Sequence, residues 1–454
     1  IYSHPRMAGG FIWDWVDQGI YAPGTNHVLY GGDFGDKPNL KAFCLNGVVF
    51  SDRSVSAKYQ EVKHVYAPVW ITQKGDEVWV KNHHSHLSLE GFSCQYQVTK
   101  NGVVGQESVL KMPSVQPGDS AKLCSLHDFK AYKNTDSRLN ISVISQQGVE
   151  VGREQIALSD NLYEAGWKLA ADAMKRYKSS RRLATLSTAE LLARNISVIP
   201  QFFRAPTDND KSFGNWIAKD WKKTHLDSTL SAIPLKDGEY VYHYGEDGAS
   251  DKAGSSASAK SGGNIRLRLE VAPQQDGFVD VKATYSFEGN LPELPRLGLM
   301  MKLPRVAYDQ VKWYGRGPWE NYPDRKQSCP IGWYESSVED QFTHYPRPQD
   351  NGNHEDCSYI ELTNKNGKNA LQVIAVGDTP LSFSALPYSV ADLYAARHDF
   401  ELKQSGNPNL RYTYLSLDCA VLGLGNSSCG PGVLKKYAID KTRSYTLHFK
   451  MRIL

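Results

Sequence analysis

The feature that most constrains this chain is an alternation of apolar and polar residues with a period of two, which recurs through most of its 454 residues. It is clearest at 265–271 and 279–287, where every second residue is apolar or aromatic. Side chains of a strand point alternately to its two faces, so the pattern predicts strands that are each buried on one side. The sequence therefore predicts a mainly β chain in which these two segments are neighbouring strands.

Residues 65–158 repeat this pattern in short segments that are separated by turn residues. Lys100-Asn101-Gly102 is typical of a tight hairpin, because Asn and Gly tolerate the positive φ that such a turn requires. About seven short strands within one such stretch indicate an immunoglobulin-like sandwich. We therefore predict a second domain at 65–158.

The remaining residues, 159–454, read as one large antiparallel β domain. Ala165–Lys178 has the composition of an amphipathic helix, but its position before a long series of strands favours entry strands of the next sheet. We therefore predict strands there and a third domain that occupies 159–454.

Residues 1–64 read as one strand, one long loop and one helix. Gly9–Val16 is a short apolar and aromatic run suited to a buried strand, and Ser54 is a candidate N-cap of the helix that follows. One strand and one helix cannot form a domain alone. The segment is expected to be the last βα unit of a barrel, and Ile1 is expected to be a cut within a larger protein.

Composition excludes several classes of protein. Net charge is only +3, which gives no electrostatic reason to expect nucleic acid, and no apolar run approaches the roughly 20 residues that span a bilayer. The seven Cys form no C-x-x-C pair, so a zinc site is not expected. A single disulfide, the oligomeric state and the compartment (cytoplasm or periplasm) stay open.

Three motifs carry a resemblance to a known family. They are GGFIWDWVDQG with YGGDFGDKPN and FCLNGVVFSDR at 9–53, FRAPTDND at 203–210, and YGRGPWENYPDR at 314–325. Together they resemble family 2 glycoside hydrolases of the β-galactosidase type over essentially the whole chain. The resemblance implies the end of a TIM barrel, an immunoglobulin-like sandwich and a supersandwich related to galactose mutarotase, in that order.

The resemblance also implies a retaining mechanism with two Glu residues about 5–5.5 Å apart. Both would lie on barrel strands before the Gly9–Val16 segment, so the chain alone is expected to lack hydrolytic activity. The Asp pairs in the motifs, such as Asp208 and Asp210, are interpreted as turn or capping residues.

Several supporting residues match the family's motifs. Trp13 matches the Trp that packs against the galactosyl ring. Phe43, through its carbonyl, and Asn46, through its side-chain oxygen, match ligands of a sodium ion, and Asn39 matches an outer-shell residue of a magnesium ion. Neither metal site is expected to be complete here. Cys429 aligns with a Trp at the sugar-binding rim, in a loop that is one residue shorter, so substrate preference at this rim stays open.

Two alternatives remain open beside the C-terminal part of a β-galactosidase that contacts the rest of its own polypeptide. One is the small subunit of a split β-galactosidase, bound to a separate large subunit. The other is a carbohydrate-binding or mutarotase-like protein. For mutarotase chemistry, a His and a Glu would have to face each other across a groove, and Glu320 and His398 are the candidates. A homo-oligomer is compatible with either function.

Overall fold

The computed structural model describes residues 4, 6–132, 134–179, 198–211, 217–231, 235–246, 248–253, 262–274, 277–367, 369–377, 380–403 and 408–454. Its sheets are antiparallel and strands outnumber helices, which confirms the predicted mainly β class. Within these residues, no helix combines the length and the apolar character that crossing a membrane would require.

The N-terminal segment holds little regular structure. Its elements are the two-residue strands β1 (Ile20–Tyr21) and β2 (Val28–Leu29), a 3-10 turn at Lys41–Cys44 and helix α1 (Ala57–Val65). The strand predicted at Gly9–Val16 is wrong. Val16 forms a single parallel bridge to Val49, and the backbones of Asp14 and Trp15 hydrogen-bond to residues 46–49 without forming a regular ladder. Helix α1 begins after Ser56 rather than Ser54, and the Ser56 hydroxyl donates to the Val48 carbonyl at 2.6 Å.

Seven strands form a two-sheet sandwich next in the chain. They are β3 (Val69–Lys74), β4 (Glu77–Asn82), β5 (Ser93–Lys100), β6 (Val103–Leu110), β7 (Ser120–Ser125), β8 (Ser137–Ile144) and β9 (Glu150–Ser159). One sheet has the order β3-β4-β7 and the other β6-β5-β8-β9. The predicted hairpin is confirmed, since Asn101 and Gly102 join β5 to β6 with φ of 48° and 77°.

A long helix, α2 (Leu162–Ser179), follows the sandwich where entry strands had been predicted, so that prediction is wrong. Its inner face carries small residues, including Ala165, Ala170 and Ala173, which are buried against the large β domain. Gly166 lies so close that a Cβ there would be 2.7 Å from the Ser358 carbonyl oxygen. The segment is helical because this face packs against the large β domain. That packing outweighs the prediction of strands, which rested on the position of the segment before a long series of strands.

The large β domain contains a nine-stranded and a five-stranded antiparallel sheet. Its strands are β10 (Val198–Gln201), β11 (Gly238–Gly245), β12 (Gly248–Ala253), β13 (Gly263–Pro273), β14 (Val279–Gly289), β15 (Arg296–Pro304), β16 (Gln310–Arg316), β17 (Ile331–Ser337), β18 (His354–Cys357), β19 (Tyr359–Thr363), β20 (Ala370–Ala375), β21 (Leu381–Leu386), β22 (Tyr412–Val421) and β23 (Tyr445–Ile453). The sheet orders are β12-β11-β13-β14-β23-β20-β19-β16-β17 and β10-β15-β22-β21-β18. Short helices α3 (Asp208–Lys211), α4 (Ile217–Lys223), α5 (Val390–Ala395) and α6 (Asp399–Leu402) lie in the connections.

Specific polar contacts fix the sandwich on the large domain. The Tyr314 hydroxyl donates to Asp136 at 2.6 Å, and Arg138 pairs with the same buried carboxylate. The Gln155 side chain donates to the Ile331 carbonyl and accepts from its N–H, as a neighbouring strand would. The large domain is therefore held in one orientation by buried hydrogen bonds as well as by apolar contact.

Candidate functional site

A cavity of about 1370 Å³ lies where the N-terminal segment meets the loops of the large β domain. Its wall combines residues from five separate stretches of sequence, at 11–58, 207–211, 320–325, 345–350 and 424–437. These stretches include parts of all three motifs that carry the family resemblance. The cavity is therefore the place where residues distant in sequence come together.

Four of the five predicted site residues line this cavity. Trp13, Phe43 and Asn46 lie on the N-terminal wall and Cys429 lies on the opposite one, whereas Asn39 is not among the lining residues. The Trp13 side chain is 79% exposed and forms an open aromatic surface at the cavity. An exposed Trp in such a position can pack against the C–H face of a sugar.

Asn46 presents a polar atom without a protein partner. Its side-chain oxygen is buried and accepts no hydrogen bond within the described part of the chain. A buried oxygen left unsatisfied is costly, and a bound cation or a ligand hydroxyl would relieve that cost. The donor set of Asn46 and the neighbouring Phe43 carbonyl consists of hard oxygen atoms, which suit sodium.

Asn39, which matches an outer-shell residue of a magnesium ion, has its side chain engaged within its own loop. Its amide nitrogen donates to the Asp36 carbonyl at 2.8 Å and its oxygen accepts from the Lys41 N–H at 3.1 Å. Among the described residues, no group of three His, Cys, Asp or Glu side chains could hold a metal ion by itself.

The loop that carries Cys429 is held in place by two half-buried side chains. Asp324 accepts the backbone N–H groups of Leu424 and Gly425, each at 2.8 Å. Asn209 donates to the Gly425 carbonyl and accepts from the Ser428 N–H. The FRAPTDND and YGRGPWENYPDR motifs thus act on the same loop, a role that sequence reasoning missed and that no local pattern signals.

A buried ion pair between Arg204 and Asp210 also holds the start of the Cys429 loop. Arg204 is fully buried and forms two hydrogen bonds with the Asp210 carboxylate, at 2.8 and 3.0 Å. Its remaining donors reach the carbonyls of Leu422 and Gly423, which begin the Cys429 loop. Asp210 also accepts from the Thr207 N–H, so the interpretation of this carboxylate as a structural residue agrees with its contacts.

Glu320 lies at the cavity but is saturated by the protein. Its oxygens accept from Arg325 at 2.8 Å, from the Tyr345 hydroxyl at 2.6 Å and from the Gly352 N–H at 2.7 Å. Burial alone would raise the pKa of Glu320, but Arg325 and these hydrogen bonds hold it below its usual value. The group is therefore a fixed anion at neutral pH rather than a proton donor.

Two other carboxylates at the cavity, Asp17 and Asp208, differ from Glu320 in that their pKa values are raised. Burial raises the pKa of Asp17, although its oxygen accepts from the Gly47 N–H at 2.7 Å. Burial likewise raises the pKa of Asp208, which lies 3.5 Å from Arg347 and accepts from Gln349.

His398 does not face Glu320 across the cavity, because it is not a lining residue. Its ring nitrogens contact Asp33 at 2.7 Å and Glu401 at 3.1 Å, and its ring stacks on Tyr30 with centroids 4.7 Å apart. His398 thus attaches the N-terminal segment to the large domain. The Glu–His arrangement that mutarotase chemistry would need is not formed by this pair.

Two family profiles match this chain. A family profile described as "Beta galactosidase small chain" matches residues 174–452, and one described as "Glycosyl hydrolases family 2, TIM barrel domain" matches residues 1–71. β-Galactosidases from Priestia megaterium and Lactobacillus delbrueckii subsp. bulgaricus are 28% and 29% identical over the whole chain. One from Halalkalibacterium halodurans is 27% identical over 96% of it.

The chain covers 45% of each of these three relatives, so it spans about half of their length. Among solved structures, an exo-chitosanase from Amycolatopsis orientalis matches with a TM-score of 0.19 and 11% identity, over 64% of this chain and 25% of that chain. These last values are too low to indicate a common arrangement.

Proposed function

The chain belongs to the β-galactosidases of glycoside hydrolase family 2, and on that basis we propose that it supplies one wall of a retaining β-galactosidase active site. The observation that supports this most directly is the convergence of Trp13, Phe43, Asn46 and Cys429 on one cavity. In this proposal the wall binds a terminal β-galactosyl residue, with Trp13 as the platform for the sugar ring.

The catalytic carboxylates are proposed to come from outside this chain. A retaining enzyme needs one carboxylic acid to protonate the leaving oxygen and one free carboxylate to attack the anomeric carbon. The carboxylates that line the cavity all accept hydrogen bonds from the protein; they are Asp17, Asp208, Glu320, Asp324 and Asp350. The chain alone is therefore expected to be inactive.

The exposed apolar surface of the N-terminal segment supports a covering partner. Phe11 is 103% exposed, Ile12 46% and Leu40 65%, next to the open face of Trp13. A surface of this kind marks an interface more often than a solvated face. We propose that the rest of a barrel covers it, either from the same polypeptide or, as the small-chain profile allows, from a separate large subunit.

Sodium is proposed as a bound ion of the complete site, with the Phe43 carbonyl and the Asn46 side-chain oxygen as two of its ligands. A cation there would supply positive charge beside a sugar hydroxyl and satisfy the buried Asn46 oxygen. Asn39 is proposed to lie in the outer shell of a magnesium ion whose direct ligands come from outside this chain.

The inactivity is tested with purified chain and 4-nitrophenyl β-galactoside, in buffer containing sodium and magnesium. We expect no turnover above a blank, because no free carboxylate pair borders the cavity. Turnover that disappears in Glu320→Gln or Asp208→Asn would contradict the proposal and identify a catalytic group within the chain.

Binding is tested separately by saturation-transfer NMR with methyl β-D-galactopyranoside. We expect a dissociation constant in the roughly millimolar range, because a single wall buries little of the ligand, and loss of the signal in Trp13→Ala. Trp15→Ala is the matched control, since Trp15 is 55% exposed, packs edge-on against Tyr59 and does not line the cavity. Equal effects of the two variants would remove Trp13 from the site.

A further inference from the structure

Two lysines face the cavity without a partner for their ammonium groups. Lys58, on α1, and Lys211, at the end of α3, are both half-buried lining residues. Neither ammonium group has a hydrogen-bond or ion-pair partner anywhere in the described ranges. Each therefore points three donors at the cavity or its edge, and the protein uses none of them.

Arg347 adds a third cation to this neighbourhood. It approaches Asp208 at 3.5 Å, and the charges of Arg347, Lys211 and Lys58 all act on that same carboxylate. One carboxylate, itself engaged by Gln349 at 3.2 Å, thus stands among three positive groups. Asp17 and Glu320 also act on Lys58, and Asp210 acts on Lys211, but within the described residues none of these carboxylates forms an ion pair with either ammonium group.

The ionisation of the two lysines agrees with this geometry. Burial lowers the pKa of Lys58, and burial together with the charge of Arg347 lowers the pKa of Lys211 to about 8. Lowered values mean that each ammonium group is destabilised where it stands, because nearby anions do not compensate its lost hydration. An anionic ligand would supply that compensation.

We propose that the cavity contains a subsite for an anionic substituent, a sulfate ester or a carboxylate, on the saccharide that it binds, and that Lys58 and Lys211 hold this group beside Arg347. The inference rests on the proposed galactoside-binding function and narrows its substrate class to acidic galactosides. Ammonium and guanidinium donors form charge-assisted hydrogen bonds with both kinds of oxyanion. A neutral ligand would offer these donors only hydroxyl or ring oxygens, which form weaker hydrogen bonds than an oxyanion does.

The test compares ligands that differ only in the acidic group, at constant ionic strength. Methyl β-D-galactopyranoside, its 3-, 4- and 6-sulfates and methyl β-D-galactopyranosiduronate are titrated into the purified chain and followed by NMR. We expect at least one acidic ligand to bind about tenfold more tightly than the neutral galactoside, the gain that one hydrogen bond to a charged group provides. Comparison of the sulfates with the uronate shows whether the subsite prefers a sulfate ester or a carboxylate.

Lys58→Met and Lys211→Met remove the charge and keep the side-chain length. We expect each variant to reduce the preference for the acidic ligand, and the double variant to abolish it, without altering the affinity for the neutral galactoside. Lys63→Met is the matched control, because Lys63 lies on the same helix but pairs with Glu150 at 3.5 Å. Circular dichroism and a melting curve confirm that each variant is folded.

The outcomes separate this inference from the proposed function. If the neutral galactoside binds and no acidic ligand binds more tightly, the anion subsite is wrong while the galactoside site stands. If Lys63→Met lowers the preference as much as the cavity variants do, overall charge is responsible and the subsite is also wrong. If no neutral galactoside binds at all, the proposed function itself fails.

Discussion

The most quantitative prediction concerns His354, a buried histidine behind the cavity wall. Its side chain lies against Trp313 and Phe383 and is 2% exposed. Its Nε2 lies 2.7 Å from the Gln341 side-chain oxygen, and its Nδ1 lies 3.2 Å from the Arg316 carbonyl oxygen and 3.5 Å from the Asn321 amide nitrogen. The Arg316 carbonyl favours a proton on the ring, but burial opposes the charged form more strongly.

Burial lowers the pKa of His354 from 6.5 to about 4. The folded state therefore resists a proton that the unfolded chain accepts, so the stability contributed by the neutral ring is complete above pH 6.5 and is lost as the pH falls towards 4. At pH 5 the unfolded imidazole is protonated about thirty-fold over its neutral form, whereas the folded one stays mostly neutral. The loss at pH 5 is about 2 kcal/mol relative to pH 7.

The assay is urea unfolding, followed by tryptophan fluorescence at pH 7, 6 and 5, for the wild type and for His354→Gln. Another buried group titrates in this window with the opposite sign, because burial raises the pKa of Asp418 to about 6. The informative quantity is therefore the difference between the two proteins. The wild type should lose about 2 kcal/mol more than the variant between pH 7 and pH 5.

His86→Gln, at an exposed position, controls for the substitution itself. Parallel pH profiles of the wild type and His354→Gln would refute the reasoning. They would mean that His354 gains a proton in the folded state as readily as in the unfolded chain.

Three further predictions concern the rim, its anchor and the long helix. Cys429→Trp should tighten binding of phenyl β-thiogalactoside by about 0.5–1.5 kcal/mol through an added ring contact, and an unchanged dissociation constant would place the loop away from the ligand. Asp324→Asn should weaken hydrogen-exchange protection of the Leu424 and Gly425 amides, since one charge-assisted bond is lost; unchanged protection would contradict the anchoring role. Gly166→Ala should lower the free energy of unfolding by about 1–3 kcal/mol, because the new methyl meets the Ser358 carbonyl, whereas Ala171→Ser on the exposed side of the helix should be nearly neutral.

Strand pairing was predictable wherever one face of a sheet is buried. The two segments chosen at 265–271 and 279–287 pair in the structure, with Leu267 opposite Tyr285 and Leu269 opposite Ala283. A register shift of one residue would expose every apolar side chain, so the alternation fixes both the strands and their alignment. The sequence pattern contains that information directly.

Helix α2 shows where the same reasoning failed. Its amphipathic composition was visible, but the surface that receives it is formed by strands such as β19 and β20, about 200 residues later in the chain. The Gly9–Val16 segment failed in the opposite direction, since its few backbone hydrogen bonds to residues 46–49 do not extend into a ladder with a neighbouring strand. Local pattern could not decide either case, because both depend on distant packing partners.

The same contrast between local sequence pattern and distant packing applies to the residues of the candidate site. Trp13, Asn46 and Cys429 could be named from motifs, because each is part of a continuous stretch with a recognisable resemblance. Lys58 and Lys211 could not be named, since each is an ordinary lysine on a helix until the fold places both at one cavity.

This difference bears on how substrate preference would vary in such a protein. The residues that bind the sugar ring are proposed to lie in motifs, while the groups proposed to select an acidic substituent are half-buried lysines on two short helices. Asp208 connects the two sets, because it belongs to the FRAPTDND motif and also receives the charge of Lys58, Lys211 and Arg347. Replacement of the two lysines would thus change which galactosides bind without disturbing Arg204 and Asp210, whose buried ion pair holds the wall in place.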